Sequence, residues 1–363
     1  WSSDVCSSDL GARDRHVYAL NPDGGRRWRF ATPYVVDASP ALGSDGTIYC
    51  ASADGAVFAV SPEGSQRWRF DAVGEVYSSP CVAADGTIYV ISFGLLIPGT
   101  DTYSGRLYAL RPDGSVKWEF LINERVSGSP AIGTDGTVYF GTPGGRFLAV
   151  NPEGTLDWEI VTGGAFFENE PVIGPEGVVL IGQEWAEPGA GTRRGRFLAI
   201  NPDGTVRWDY ATGAPIYSTA AVTEDGTLYF TDESKTLVAL NANGTLRFTY
   251  AADFARGASP ALGYDGTVYV ADGVLDLHAL LGHSPPAQSS WPMARRDLRH
   301  TANAGTPPDA ETWFYPFNSN AFDDEVRAIA LDGANVYVGG AFQLAGGLPS
   351  RFVARLDGAA WSA

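Results

Sequence analysis

Short apolar runs separated by glycine-centred polar turns recur along most of the chain, and none of them shows the 3.6-residue periodicity of an amphipathic helix. The clearest case is Gly105–Phe120, GRLYALRPDGSVKWEF, where two apolar runs flank Pro-Asp-Gly and the second closes on Trp-x-Phe. Variants follow as HVYALNPDGGRRWRF from His16, AVFAVSPEGSQRWRF from Ala56, RFLAVNPEGTLDWEI from Arg146, RFLAINPDGTVRWDY from Arg196 and TLVALNANGTLRFTY from Thr236. A second signature lies between copies: Ser-Pro, a few apolar residues, then Asp-Gly-Thr, an apolar residue and Tyr. It reads SPALGSDGTIY over Ser39–Tyr49 and SPAIGTDGTVY over Ser129–Tyr139.

Each copy reads as four strands. In residues 71–120 the pattern predicts strand A over Val76–Ala83, B over Thr87–Ser92, C over Arg106–Leu110 and D over Ser115–Phe120. The A–B and C–D links are Asp-Gly turns, where glycine supplies the positive φ that a tight hairpin demands. Strand C is apolar on both faces, as strands stacked between neighbouring sheets are. The Trp-x-apolar marks fall at Trp28, Trp68, Trp118, Trp158 and Trp208, with Phe248 in the same role. The steps between them are 40, 50, 40, 50 and 40 residues. A period near 40 built of strands predicts one four-stranded propeller blade per repeat. The expected fold is all-β, a β-propeller of about seven blades with the first truncated, followed by a fragment of another β-repeat region. The tryptophans are expected to pack blade on blade.

The two 50-residue steps locate insertions, Phe93–Ser104 and Gln183–Arg194, both between strands B and C. Antiparallel order puts them on the face of the D-to-A crossings, opposite the Asp-Gly turns. Long loops on one face of a repeat scaffold are where binding usually resides.

The rhythm stops after the unit Ser259–Leu281. Residues 11–290 are read as the propeller, 291–320 as a closing segment and linker, and 321–363 as the start of a second, truncated β-repeat domain. Residues 1–10, WSSDVCSSDL, match no repeat and are the in-frame translation of a common sequencing adaptor, so they are read as an artefact. The chain ends in mid-pattern at Trp361-Ser362-Ala363, and both ends are read as cut.

A net charge of −17 excludes nucleic acid as the expected partner, because no basic stripe is present to neutralise phosphates. No apolar run approaches the ~20 residues of a membrane-spanning helix. Three cysteines are too few for a disulfide framework. Cys50 and Cys81, in neighbouring repeats, are either bridged or two buried thiols. The expected state is monomeric.

These units resemble the PQQ-like repeat, the β-propeller motif of the quinoprotein dehydrogenases, over His16 to about Leu281. The resemblance rests on YALNPDG-x-x-x-W-x-F and Ser-Pro…Asp-Gly-Thr-x-Tyr. WPMARRDLRHTA (Trp291–Ala302) is similar to a segment found beside such repeats in secreted bacterial proteins. The tail motif YVGGAF…AGG…ARLDGAAWSA looks like a surface-protein repeat. Quinoprotein dehydrogenases bind PQQ and Ca²⁺ on the propeller axis and carry a catalytic Asp and a vicinal disulfide. No adjacent cysteine pair exists in this chain, and no motif here carries over the calcium ligands or the catalytic Asp. The resemblance therefore implies the non-enzymatic branch, an extracellular or cell-envelope scaffold with a protein or carbohydrate partner and no cofactor. A PQQ- and Ca-dependent or carboxylate-based enzyme is the alternative.

Asp45, Asp85, Asp135, Asp225 and Asp265 recur once per turn, which is turn chemistry rather than the converging six to eight oxygens that calcium needs. His16, His278, His283 and His300 are scattered, with no zinc spacing. Asn243-Gly244-Thr245 has the form of a glycosylation acceptor but stands where other units place a turn. The unit 161–210 departs most, with Glu170-Pro171 for Ser-Pro and a crossing that reads GGAFFENE. Phe166, Phe167, Glu168, Glu170, Glu184, Trp185 and Glu187 form the expected binding cluster, joined by Phe93 and Tyr103 of the first insertion. Aromatics beside carboxylates suit sugar stacking or a cationic peptide. Two carboxylates held ~5–9 Å apart would suit glycoside hydrolysis.

Overall fold

The computed structural model describes residues 8–21, 25–100, 103–166, 169–186, 192–254, 256–263, 265–271, 277–280, 282 and 284–287, and strands between 326 and 362. The chain divides into two compact units, Trp1–Pro171 and Val172–Ala363. Among the described residues strands dominate both, with one 3-10 turn at Pro175–Gly177. Among the described residues no helix is long and apolar enough to cross a membrane.

Four antiparallel sheets make up the repeats of the first unit. Sheet one has β1 (Ser8–Ala12), β2 (His16–Leu20) and β3 (Arg26–Ala31). Its first strand includes Ser8, Asp9 and Leu10, from the stretch read as adaptor-derived. Sheet two has β4 (Ala41–Leu42), β5 (Ile48–Ala51), β6 (Ala56–Val60) and β7 (Gln66–Asp71). Sheet three has β8 (Cys81–Val82), β9 (Ile88–Ser92), β10 (Arg106–Leu110) and β11 (Val116–Leu121). Sheet four has β12 (Ala131–Ile132), β13 (Val138–Gly141), β14 (Arg146–Val150) and β15 (Leu156–Val161). Strands B and C are buried along nearly their whole length, whereas strand D alternates between exposed and half-buried positions. That is the gradient of a sheet packed on both faces at its centre and wet at its outer edge.

Adjacent sheets are joined by the two sequence signatures acting together. Trp28 of sheet one donates its indole N–H to the carbonyl of Pro62 in the C–D turn of sheet two, at 2.8 Å. Trp68 does the same to Pro112, and Trp118 to Pro152, both at 2.8 Å. The turn glycine lies under the same indole, so a Cβ on Gly64, Gly114 or Gly154 would fall 2.6–2.8 Å from the ring of Trp28, Trp68 or Trp118. These glycines also hold φ of 85–87°, which strains any other residue. Pro-x-Gly and Trp-x-Phe are thus the two halves of one contact between repeats. The serine of Ser-Pro links sheets as well: the Ser39 amide donates to Ser79 Oγ at 3.0 Å, and the Ser79 amide to Ser129 Oγ at 2.9 Å. Cys50 and Cys81 are both buried and unbridged.

The second unit continues the pattern. Sheet five has β16 (Val172–Ile173), β17 (Val179–Ala186), β18 (Arg193–Ile200) and β19 (Val206–Thr212). Sheet six has β20 (Ala221–Val222), β21 (Leu228–Asp232), β22 (Thr236–Leu240) and β23 (Leu246–Ala251). Trp208 donates to the Ala242 carbonyl at 3.0 Å and lies over Gly244, so Asn243-Gly244-Thr245 is a turn in the same interlock. Among the described residues sheet seven has three strands: β24 (Ala261–Leu262), β25 (Val268–Ala271) and β26 (Leu277–Leu280). Beyond it, Ser284–Ala287 runs along the sixth sheet, with the Glu224 amide donating to Pro285 O and the Ala287 amide to Val222 O. In the tail, β27 (Val326–Asp332), β28 (Asn335–Gly340), β31 (Val353–Asp357) and β32 (Ala360–Ser362) form an antiparallel sheet. The short hairpin of β29 (Leu344–Ala345) and β30 (Leu348–Pro349) interrupts that meander.

Candidate interaction surface

On the side of the Asp-Gly turns the carboxylates are spent on their own turns. Asp45 accepts from the Thr47 amide at 3.0 Å and the Thr47 hydroxyl at 2.7 Å, and pairs with Arg67 at 2.6 Å. Asp85 repeats this with Thr87 and Lys117, and Asp225 with Thr223, Thr227 and Arg247. In the fifth repeat Glu176 pairs with Arg207 at 2.9 Å. Partial burial raises the Asp45 carboxyl, but the Thr47 hydrogen bonds and then Arg67 outweigh it and hold the group below its usual range. Among the described residues no three His, Cys, Asp or Glu side chains gather where a metal could sit.

The opposite side of the first unit is built differently. Where β9 ends, the Phe93 amide donates to the Glu75 carbonyl at 2.7 Å, which fixes the start of the first insertion. Leu95 and Ser104 then bond across the loop, and Leu96 bridges Tyr103. Three rings meet edge to face: Tyr77 with Phe93 at 5.8 Å and Phe93 with Tyr103 at 6.2 Å. Arg125, from the crossing that follows β11, lays its guanidinium 3.8 Å from the Tyr103 centroid and 5.2 Å from that of Phe93. An insertion and a D-to-A crossing therefore share a face in this unit, as strand order requires. Leu95 and Leu96 flank the stack at 58% and 52% exposure, far above the core.

The second insertion extends β17 and β18 into a long hairpin. Glu184, near its end, pairs with Arg193 at 3.3 Å and accepts a hydrogen bond from the Tyr217 hydroxyl. Arg256 stacks over the Tyr217 ring at 4.2 Å and pairs with Glu233 at 3.0 Å. Burial and then the Glu184 carboxylate push the Tyr217 phenol up. Each charged group named in this network has an oppositely charged partner, and the Arg193 and Arg256 side chains remain largely exposed.

Of the expected binding residues, Phe93 and Tyr103 come together, with Arg125 stacked over both. Phe166 is 2% exposed, packed 5.5 Å from Phe147 and lying against Gly141, whose missing side chain leaves room for its ring. Glu170 is buried at 5% exposure. Both belong to the first unit, whereas Glu184 and Trp185 belong to the second. Trp185 is half-buried and opposite Arg194. Phe167, Glu168 and Glu187 lie outside the described residues. Arg125, Tyr77, Leu95 and Leu96 join this face although they were not among the expected binding residues. The doubled leucine in the loop FGLLIPGTDTYS is the signal the sequence offers for the last two.

A family model described as "Outer membrane protein assembly factor BamB" matches residues 13–184 and 193–284. Among solved structures the chain is similar to BamB from Moraxella catarrhalis, with a TM-score of 0.62 at 14% identity, covering 98% of this chain and 91% of that one. A chain from the crystal structure of the mitotic checkpoint complex matches with a TM-score of 0.56 at 13% identity, over 75% of this chain and 85% of that one. No curated protein sequence matches.

Proposed function

The chain belongs to that BamB-described family of PQQ-like β-propellers, and on that premise we propose that it is a non-catalytic scaffold of the cell envelope or cell exterior. Its partner is a protein, docked on the insertion-bearing face of the first unit. The supporting observation is the exposed pair Leu95 and Leu96 beside a guanidinium stacked on Tyr103 and Phe93. Tyrosine and arginine are the residue types in which interface hot spots are enriched, and the exposed leucines beside them add apolar area for a partner to cover. A glycan fits less well, because Arg125 covers one face of the Tyr103 ring that a sugar would stack on.

The test is capture of envelope proteins by the immobilised chain, comparing wild type, Leu95→Glu/Leu96→Glu and an Asp-Gly-side control, Glu63→Lys. The reading expects a discrete set of bound proteins lost in the double variant and kept in the control. Equal capture by all three would remove this face from consideration.

A further inference from the structure

In the second to sixth sheets strand C lies between B and D. β26 is strand C of the seventh sheet, and among the described residues it pairs with β25 alone. Its register, with Leu280 opposite Val268, matches that of Leu240 opposite Leu228 in the sixth sheet. Ala279 therefore stands where Ala239 does. In the sixth sheet the Ala252 amide donates to the Lys235 carbonyl on the D side. Two-residue alternation then turns the backbone groups of Leu237 and Ala239 toward β23. The same parity turns the N–H and C=O of Leu277 and Ala279 away from β25, toward the open edge.

The side chains on that edge tell the same story. Ala59, Ala109, Ala149, Ala199 and Ala239 are all at 0% exposure. Each lies opposite the strand-D aromatic: Trp68, Trp118, Trp158, Trp208 and Phe248. Ala279 is exposed. Among the described residues the adjacent chain does not fold back to cover it. In sheet three strand D starts at Val116, shortly after strand C ends at Leu110. At the corresponding distance past Leu280 the chain is bonded to Val222 and Glu224 of the sixth repeat instead.

We propose that the free edge of β26 is a strand-addition site for an extended segment of a partner polypeptide. Its backbone pairs with Leu277 and Ala279, and its Trp-x-aromatic pattern sets the indole against Ala279. Strand addition draws its affinity from main-chain hydrogen bonds and its selectivity from alternate side chains. Both features are laid out on this edge. The site is independent of the loop face proposed above.

The probe is a capped peptide with the sequence of Ser115–Leu121, SVKWEFL, the chain's own third-repeat strand D. Amide hydrogen exchange is followed at Leu277 and Ala279. The proposal expects fast exchange in the chain alone and about tenfold slowing or more with millimolar peptide. Protection should vanish with the Trp118→Ala form of the peptide and in an Ala279→Arg chain. Unchanged exchange at Val268–Ala271 in that variant shows that the sheet is intact. Amides at Leu277 and Ala279 already protected without peptide would mean that the chain covers its own edge, and the proposal falls. It falls equally if the peptide gives no protection.

Discussion

Within the first unit, the Asp-Gly side and the insertion side use similar residues to opposite ends. On the turn side Arg67 and Lys117 pair with Asp45 and Asp85, and the indoles of Trp28, Trp68 and Trp118 are capped by a carbonyl and a glycine of the next repeat. On the insertion side Arg125 lies across rings, and Leu95 and Leu96 face solvent. What repeats in every unit is spent inside the fold. Leu95 and Leu96, which lie in an insertion, stay exposed.

The sharpest way to break this contrast is to cut the interlock. Trp118→Ala removes a part-buried indole and its bond to Pro152, and should cost on the order of 3 kcal/mol in denaturant unfolding. Gly154→Ala keeps the indole but forces a Cβ to 2.6 Å from it at φ 86°. It should cost roughly 1–3 kcal/mol. By contrast Leu95→Glu/Leu96→Glu should leave stability within about 0.5 kcal/mol of wild type. A large loss there would make the two sides alike and dissolve the comparison.

A finer probe is pH. The folded Asp45 carboxyl lies below its unfolded value, so its ionised form contributes stability that is fully present above about pH 4. That contribution disappears as pH falls through the folded value. Asp45→Asn should therefore lose on the order of 0.5 kcal/mol at neutral pH, the pair being largely exposed, and the difference from wild type should shrink toward zero in acid. Arg125→Ala should cost about 0.5 kcal/mol in denaturant unfolding, from an exposed cation–π contact.

The repeat, its strands and its turns were legible because they depend on neighbours in sequence: Asp45 bonds Thr47, and Gly46 supplies the positive φ of its own turn at 78°. The blade-packing role of tryptophan was legible too, though not its target in the next turn. The serine of Ser-Pro was read only as a marker, because its bond partner lies 40 or 50 residues away. The surface was less legible for the same reason. Phe166 and Phe93 sit in similar aromatic company in the sequence, yet Gly141 makes room for one ring in the core. The other is held in a loop beneath an arginine from a separate crossing.

The direction of the tryptophan contact has a consequence for how such chains change over generations. Trp28 reaches forward to the turn at Pro62, Trp68 to Pro112 and Trp118 to Pro152, always from one repeat into its successor. Every repeat so joined carries a plug at one end and a socket at the other, in the same order. A duplication or deletion of one whole period in the gene leaves each surviving plug facing a matching socket. Copy number can therefore drift while the joints stay sound, and an insertion such as Phe93–Ser104 can be tried in one copy without altering the fit of the rest.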